Sequence, residues 1–488
     1  MQSPRSLHEL AQTIKAQTNL AYFSEYAFKD EENHIPNAPF HNEAYRRLQG
    51  IDDNGKIFRP PTRVLNLWPR GHAKSTCFSI KYPLWMLGRN PNLRFLIVTK
   101  TSSLADSLVL EIRSHIERNE KVRKVFPDLV AAREEKGVSD PWSGQRLFVK
   151  RDLIDKSLSV SGIGLHGSIT GRRADVIIFD DLIDESDVVT PMQRQKVDTW
   201  VKKVVLPVLT PDGQVIWNAT RWHPKDIYGS YLIENPQYEV SILKAINEVD
   251  GKEVALWPEM WSLKALKDMK DDIGSLMFEC QYQNNATGLE GILFKEEWLS
   301  YYNPMAPEFL NKLESMVFVM GVDPAISEEP TADYTAITVL GIDPQTTDCY
   351  VMDIWRDRID FPSQVRKIVE IFNDYAARGM PISKVGIESV AYQKALFRTT
   401  YVTGLPVVEV KTSASKIHRM YGLAPSFESG RIKFPDPEIA RANWFDGFRS
   451  EYLSFPNGAN DDQLDSLDFA FEIVGVASLK PAFGFGPP

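Results

Sequence analysis

The sequence has little cysteine. Its three thiols, Cys77, Cys280 and Cys349, lie far apart with no CxxC spacing. That argues against a disulfide frame or a thiolate zinc site and suits a reducing compartment. No apolar run approaches the ~20 residues that a membrane span needs. The opening MQSPRSLHELAQTIKAQ lacks the apolar core of a secretory leader. These absences predict a chain that stays off the membrane, in the compartment where it is made. Internal repeats and low-complexity tracts are also missing, which excludes solenoid and fibrous classes. Positive charge is in deficit, at a formal net charge of −9. Residues 311–488 carry 17 Lys+Arg against 24 Asp+Glu, and the residues before them 39 against 41. The acidity is thus concentrated in the last third. Divalent cations would offset it there, and contact with a nucleic-acid backbone needs only a local basic surface.

What is present fits a globular protein with more than one core. At 488 residues and 43% hydrophobic content, two domains are expected. The polar segment 1–60 reads as a helical lead-in, ending in the loop-like IDDNGKIFRPP. Strand signals then alternate with helical ones over 61–250: RVLNLW, LRFLIVTK, ADVIIFDD and QVIWNAT. Such alternation predicts a parallel sheet with helices on both faces. A mixed stretch over 251–310 reads as a linker or subdomain. Within 311–488 the strands MVFVMGVD, YTAITVLGID and CYVMDIWR follow closely enough for a meander. A helix over 363–377, the strand KVGIES, a further helix and PVVEVK come next, and FGFGPP reads as a loose tail.

The first chemical signature is Trp68-Pro-Arg-Gly-His-Ala-Lys-Ser-Thr76. A phosphate-binding loop is usually GxxxxGK[ST], whose glycines let backbone N–H groups wrap phosphates. Here Lys74 and Ser75 hold the side-chain positions, for the β/γ-phosphates and for Mg²⁺, with Thr76 as the second candidate ligand. Trp68 and Ala73 replace the two glycines, and Gly71 supplies the only free φ. A tight strand-to-helix turn would also explain the loop. The strand before it, the helix after it, and Asp180-Asp181 at the end of a later buried strand favour ATP and Mg²⁺. Asp180 would serve the metal and Asp181 the attacking water, with Glu185 as rival base. Thr220 closes WNATRWH, where it can sense the γ-phosphate or simply end a strand. Arg172 and Arg173 would supply a transition-state cation or a basic face for DNA.

The second signature is a scattered carboxylate set. Two-metal phosphodiester cleavage needs several acids around two cations roughly 4 Å apart. Mg²⁺ or Mn²⁺ there calls for oxygen ligands rather than histidines. Asp323 ends MVFVMGVD, Glu388 ends KVGIE, and Asp461, Asp462 and Asp465 open a helix in NDDQLD. Acids at a helix start also serve capping and the dipole. A meander with the first acid, a later strand with the second and a C-terminal helix with the third is the layout of a ribonuclease-H-like fold. Asp333 in TADYTAI is a further candidate, or a turn residue.

Taken together, about residues 40–475 resemble the large terminase subunit of tailed bacteriophages. The sharpest point is the variant loop R-x-x-G/A-K-S/T, matched by Arg70-Gly71-His72-Ala73-Lys74-Ser75. IIFDDLID, ATRWH, GVDPA with its trailing SEEPTADYTAI, and FPNGANDDQLDSLDFA extend the likeness. The resemblance implies an α/β architecture: a P-loop NTPase-like parallel-sheet domain followed by a ribonuclease-H-like nuclease domain. It implies roles in turn. Arg70, Lys74 and Ser75 bind phosphates and Mg²⁺, Asp180 and Asp181 serve metal and water, and Thr220 couples. Asp323, Glu388 and one or both of Asp461 and Asp462 hold the nuclease ions. The family often has His-Asp-Asp where this chain has Asn460-Asp461-Asp462. Expected partners are double-stranded DNA, a small terminase subunit and the portal protein of a procapsid, met by a homo-oligomeric ring in the host cytoplasm. The competing expectations are a helicase-nuclease of repair or transposition, and a scaffold with inactive remnants of both sites.

Overall fold

The computed structural model describes residues 7–29, 34–51, 56–132, 146–151, 157–169, 172–287, 293–325, 334–388, 399–400, 404–411, 416–440 and 442–474. Asp333 and the tail FGFGPP lie outside them. The chain forms two compact units, residues 1–267 with 278–287, and residues 268–277 with 288–488. The stretch 251–310, read as a linker, is therefore divided between the two. Among the described residues no helix is long and apolar enough to cross a membrane.

The first unit holds a seven-stranded sheet. Its strands are β1 Arg63–Leu67, β2 Phe95–Thr99, β3 Arg146–Leu147, β4 Val160–Gly164, β5 Ala174–Asp180, β6 Leu209–Ala219 and β7 Glu239–Ile242. They lie in the order β3-β4-β2-β5-β6-β1-β7. All neighbours are parallel except β3 and β4. Alternate residues supply opposite faces, as strand geometry requires. Val64, Ile97, Ile178 and Ile216 join one core, and Leu65, Val98, Ile177 and Val215 the other. The helices Leu7–Thr18, Leu20–Phe28 and Pro39–Gln49 are part of the first core. Ala16, Leu20, Phe23 and Tyr45 are fully buried in it, and the Trp85 indole donates to the Ala16 carbonyl at 3.0 Å. A hairpin, β8 Ile246–Val249 and β9 Lys252–Ala255, stands apart from the sheet.

The second unit is built on another seven-stranded sheet. Its strands are β10 Ser300–Tyr302, β11 Val317–Asp323, β12 Thr335–Ile342, β13 Cys349–Asp357, β14 Ile382–Glu388, β15 Val407–Val410 and β16 Ile432–Pro435. They run β10-β16-β13-β12-β11-β14-β15. The three strands β11, β12 and β13 are the expected antiparallel meander. Strand β14 joins β11 in parallel, with Val322 opposite Ile387. The helix Phe361–Ala377 buries Ile368 and Tyr375 on one face with Met320, Val322 and Val385. The helix Asp462–Glu472 buries Leu464, Leu467 and Phe471 on the other with Val319 and Leu340. Gly321 decides how near that helix lies. A Cβ there would overlap the Ser466 carbonyl and the Ala470 nitrogen, so only glycine lets helix and strand meet at this depth.

Candidate active sites

In the first unit, β1 leads through Trp68–Lys74 into a helix that starts with wide i→i+5 turns over Ser75–Lys81 and continues as Tyr82–Arg89. The loop bends through two left-handed residues, Gly71 at φ 72° and Ala73 at φ 59°. Gly71 is therefore not the only residue at positive φ, because Ala73 adopts it where the usual motif has glycine. For a residue with a Cβ that costs about 1–2 kcal/mol. The loop is also held by residues from much later in the chain. The Trp261 indole donates to the Gly71 carbonyl at 3.1 Å, and Asn284 donates to the Leu67 carbonyl at 2.9 Å.

The Lys74 ammonium is buried and donates to the carbonyls of Trp68 at 3.2 Å and Pro69 at 3.4 Å. Ser75 donates to one oxygen of Asp180 at 2.7 Å, and Ser79 donates to the other. Burial, and then the charge of neighbouring Asp181, push Asp180 up to about 6, against the pull of the two hydroxyls and Lys74. Asp181 is exposed, at φ 40°. A hydroxyl and a carboxylate at the loop's helix start form an oxygen donor set that suits Mg²⁺.

Other predicted residues stand elsewhere. Arg70 is tied to Gln281, its guanidinium donating to Oε1 at 2.9 Å and its backbone N to the Gln281 carbonyl at 2.9 Å. His72 is 1% exposed, and burial lowers it to about 4, so it is a neutral packing residue of the loop. Thr76 is exposed, and Thr220 is buried one residue beyond β6. Arg173 is exposed and Arg172 half-buried, while Glu185 lies in the short turn Glu185–Asp187 after β5.

Three residues of this centre were not read from the sequence. Ser79 sits one turn beyond Ser75, a spacing that could have signalled it. Asn218 accepts from Asn66 at 3.0 Å and so joins β6 to β1. Asp226 is fully buried and holds Arg221 at 3.0 Å, and it also accepts from Trp222, His223 and Gly229. That network fixes the turn after Thr220.

In the second unit, Asp323 and Glu388 end the neighbouring parallel strands β11 and β14, one residue past the Val322–Ile387 pair. The helix Asp462–Glu472 starts beside them. Asp462 accepts from the Tyr334 backbone at 3.4 Å, and Ser466 bonds Thr338 of β12 at 2.7 Å. Asp323 is raised well above the carboxylate range by burial, then by Asp465, Asp462 and Glu388, with Lys416 opposing. Like charges within reach of one another give such a shift. The far-separated acids are thus brought together.

Asp461 and Asp465 face a different neighbour. Lys416 pairs with Asp461 at 2.5 Å and with Asp465, and Arg419 pairs with Asp465 at 2.6 Å and Asp468 at 2.7 Å. Neither cation was singled out in the sequence, where both sit in the polar stretch KTSASKIHRM. Among the described residues, no three acidic, imidazole or thiol side chains stand close enough to enclose an ion as they are. The donor chemistry fits one nonetheless: carboxylates only, Asp462 buried and Asp323 and Glu388 half-buried, with the neighbouring acids acting on Asp323.

Residues 320–472 match a family model described as the terminase RNaseH-like domain. The large terminase subunit of Enterobacteria phage T3 is 29% identical over 204 residues, 41% of this chain and 30% of that protein. The match thus spans less than a third of that relative's length. The large terminase of a thermophilic bacteriophage in complex with ADP aligns over 90% of this chain and 100% of its own, at TM-score 0.52 and 11% identity. The complex of that same terminase with ATP-gamma-S aligns over 89% and 98%, at TM-score 0.51 and 11% identity. These two likenesses establish a shared fold.

Proposed function

We propose, for a chain whose residues 320–472 belong to the terminase RNase H-like domain family, the work of a large terminase subunit. It hydrolyses ATP in the first unit, drives double-stranded DNA into a procapsid, and cuts concatemeric DNA in the second. The observation that carries this reading is the register of β11 against β14, which ends Asp323 and Glu388 side by side. The thermophilic-phage terminase structures with ADP and ATP-gamma-S support nucleotide binding in the first unit.

At the ATPase centre Lys74 moves from loop carbonyls to the β/γ-phosphates, and the backbone of Arg70–Thr76 cradles them. Ser75 and Asp180 would hold Mg²⁺, with Ser79 orienting Asp180 and Asn218 donating to Ser79. Asp181 activates the attacking water, and Thr220, fixed by the Asp226 network, relays hydrolysis to the turn that follows. Arg70 reaches the phosphates only by releasing Gln281. In the second unit Asp323, Glu388 and Asp462 hold the nuclease metal, Mg²⁺ or Mn²⁺, with Asp461 the less favoured ligand because Lys416 claims it. Bound ions would ready the attacking water and stabilise the leaving oxygen. The partners in this reading are a small terminase subunit and a portal protein, met by a ring of copies in the host cytoplasm.

The raised Asp180 gives a pH prediction. A Mg²⁺ ligand must be ionised, so ion binding releases its proton. Below about 6 Asp180 is protonated, and Mg²⁺-ATP binding therefore weakens as pH falls through that value. Calorimetry at pH 6 in buffers of different ionisation enthalpy should read proton release that is absent at pH 8 and in Asp180→Asn. Equal release in the variant would remove Asp180 from the site.

The function itself is tested with the full chain, Mg²⁺, ATP and linear duplex. Duplex DNA should accelerate ATP hydrolysis without separating the strands. A single-stranded product would instead favour the helicase-nuclease.

A further inference from the structure

Four acids lie in the first turns of the last helix and at its cap: Asp461, Asp462, Asp465 and Asp468. Their surroundings divide them. Arg419 forks between Asp465 Oδ1 and Asp468 Oδ2, and Lys416 bridges Asp461 Oδ1 and Asp465 Oδ2. Both oxygens of Asp465 are thus taken by cations of the chain. Asp462 accepts a backbone N–H from Tyr334, and both it and Asp465 act electrostatically on Asp323, Asp465 the more strongly.

Lys416 and Arg419 both lie on the helix Lys416–Glu428. The Lys416 side chain is about one-third exposed (32%), whereas that of Arg419 is 12% exposed. Arg419 also ties the two helices through its two-carboxylate fork, beside the core that Met420, Leu423 and Phe427 share with Leu464 and Leu467, so anchoring does not depend on Lys416. A lysine is a compact point charge on a flexible stem, suited to standing in for an ion and giving way to one.

We propose that Lys416 is a positioning residue of the nuclease centre. It stands where a second divalent ion would need Asp461 and Asp465. While it stands there the centre loads a single ion, on the side of Asp323, Glu388 and Asp462. A second divalent ion gains the Asp461 side only when Lys416 leaves it. This rests on the nuclease reading.

The test is a calorimetric titration of the full chain with Mn²⁺, without DNA or nucleotide. Four variants are compared with the unsubstituted protein, so that any ion at Asp180 cancels. Lys416→Gln should bind about one further Mn²⁺, because two carboxylates lose their built-in cation. Lys416→Arg keeps the charge and should bind the unsubstituted number. Asp461→Asn should also bind that number, since Lys416 retains Asp465. Asp323→Ala should bind one fewer. An unchanged count in a folded Lys416→Gln overturns the inference. Should that variant fail to fold, loss of an ion from Asp461→Asn, or a gain in Lys416→Arg, overturns it equally. If Asp323→Ala keeps both its ion and its cleavage, the nuclease reading has failed instead.

Discussion

Replacing Asp323 by alanine lowers Mn²⁺-dependent digestion of plasmid DNA by on the order of 10³-fold, since a metal-held transition state draws several kcal/mol from its ligands. ATP hydrolysis is spared. The size of the effect follows from the position of the side chain. Asp323 is the acid on which Asp465, Asp462 and Glu388 all act, so it is the common member of the set. The fold should survive the change. The ionised form of a carboxylate raised above its ordinary range is disfavoured in the folded protein, and removing it relieves repulsion at neutral pH. A melting curve no worse than that of the unsubstituted chain, with cleavage gone, is the expected pair of readings. Loss of ATP hydrolysis as well, in a folded variant, would contradict two separable centres.

Lys74→Ala gives the opposite pattern. Phosphate release from ATP should fall by roughly 10²–10³-fold, the usual cost of removing one donor aimed at developing charge. Plasmid digestion with Mn²⁺ should continue. The ammonium now lies within hydrogen-bond reach of the Trp68 and Pro69 carbonyls, inside the loop that would receive phosphate. Its loss leaves two acceptors of a buried loop without that donor, at a stability cost of about 1–3 kcal/mol. The variant should therefore melt lower as well. ATP turnover at the unsubstituted rate would show that the loop is only a strand-to-helix turn.

Much of the frame was legible because buried strands announce themselves by β-branched and apolar runs. RVLNLW, VIIFDD, VIWNAT and MVFVMGVD each place an acid, an amide or the phosphate loop at a strand end, and β1, β5, β6 and β11 lie there. Strand β4 was not legible. Its sequence VSGIG gives up bulk where the helix Ser102–Arg118 packs closely. A Cβ on Gly162 would come within 2.8 Å of Ala105, and one on Gly164 within 3.0 Å of the Ser102 hydroxyl. The packing that makes the strand necessary also removes its signal. The half-exposed edge strand β7, EVSI, is silent for another reason, since an edge needs no apolar run.

The sites divide in the same way. Paired acids at strand ends can be read from a pattern, and so can a Lys-Ser pair at a helix start. What orients them comes from elsewhere in the chain. Gln281 and Asn284 reach the phosphate loop from a segment that reads as linker, and no spacing connects position 281 to position 70. Lys416 and Arg419 are ordinary charges until the last helix is laid beside them. Ala73 illustrates a different limit. The sequence has an alanine where glycine is usual, and only the backbone reveals that it keeps the left-handed turn at its own cost.

The central claim is that acids separated by up to 139 positions, from Asp323 to Asp462, share one metal centre. A crystal of the DNA-free protein soaked in Mn²⁺ and measured at the manganese absorption edge tests it directly. The account predicts an anomalous peak within coordination distance of Asp323, Glu388 and Asp462, with Lys416 still on Asp461. Manganese bound elsewhere in the second unit, with those three carboxylates bare, would contradict it.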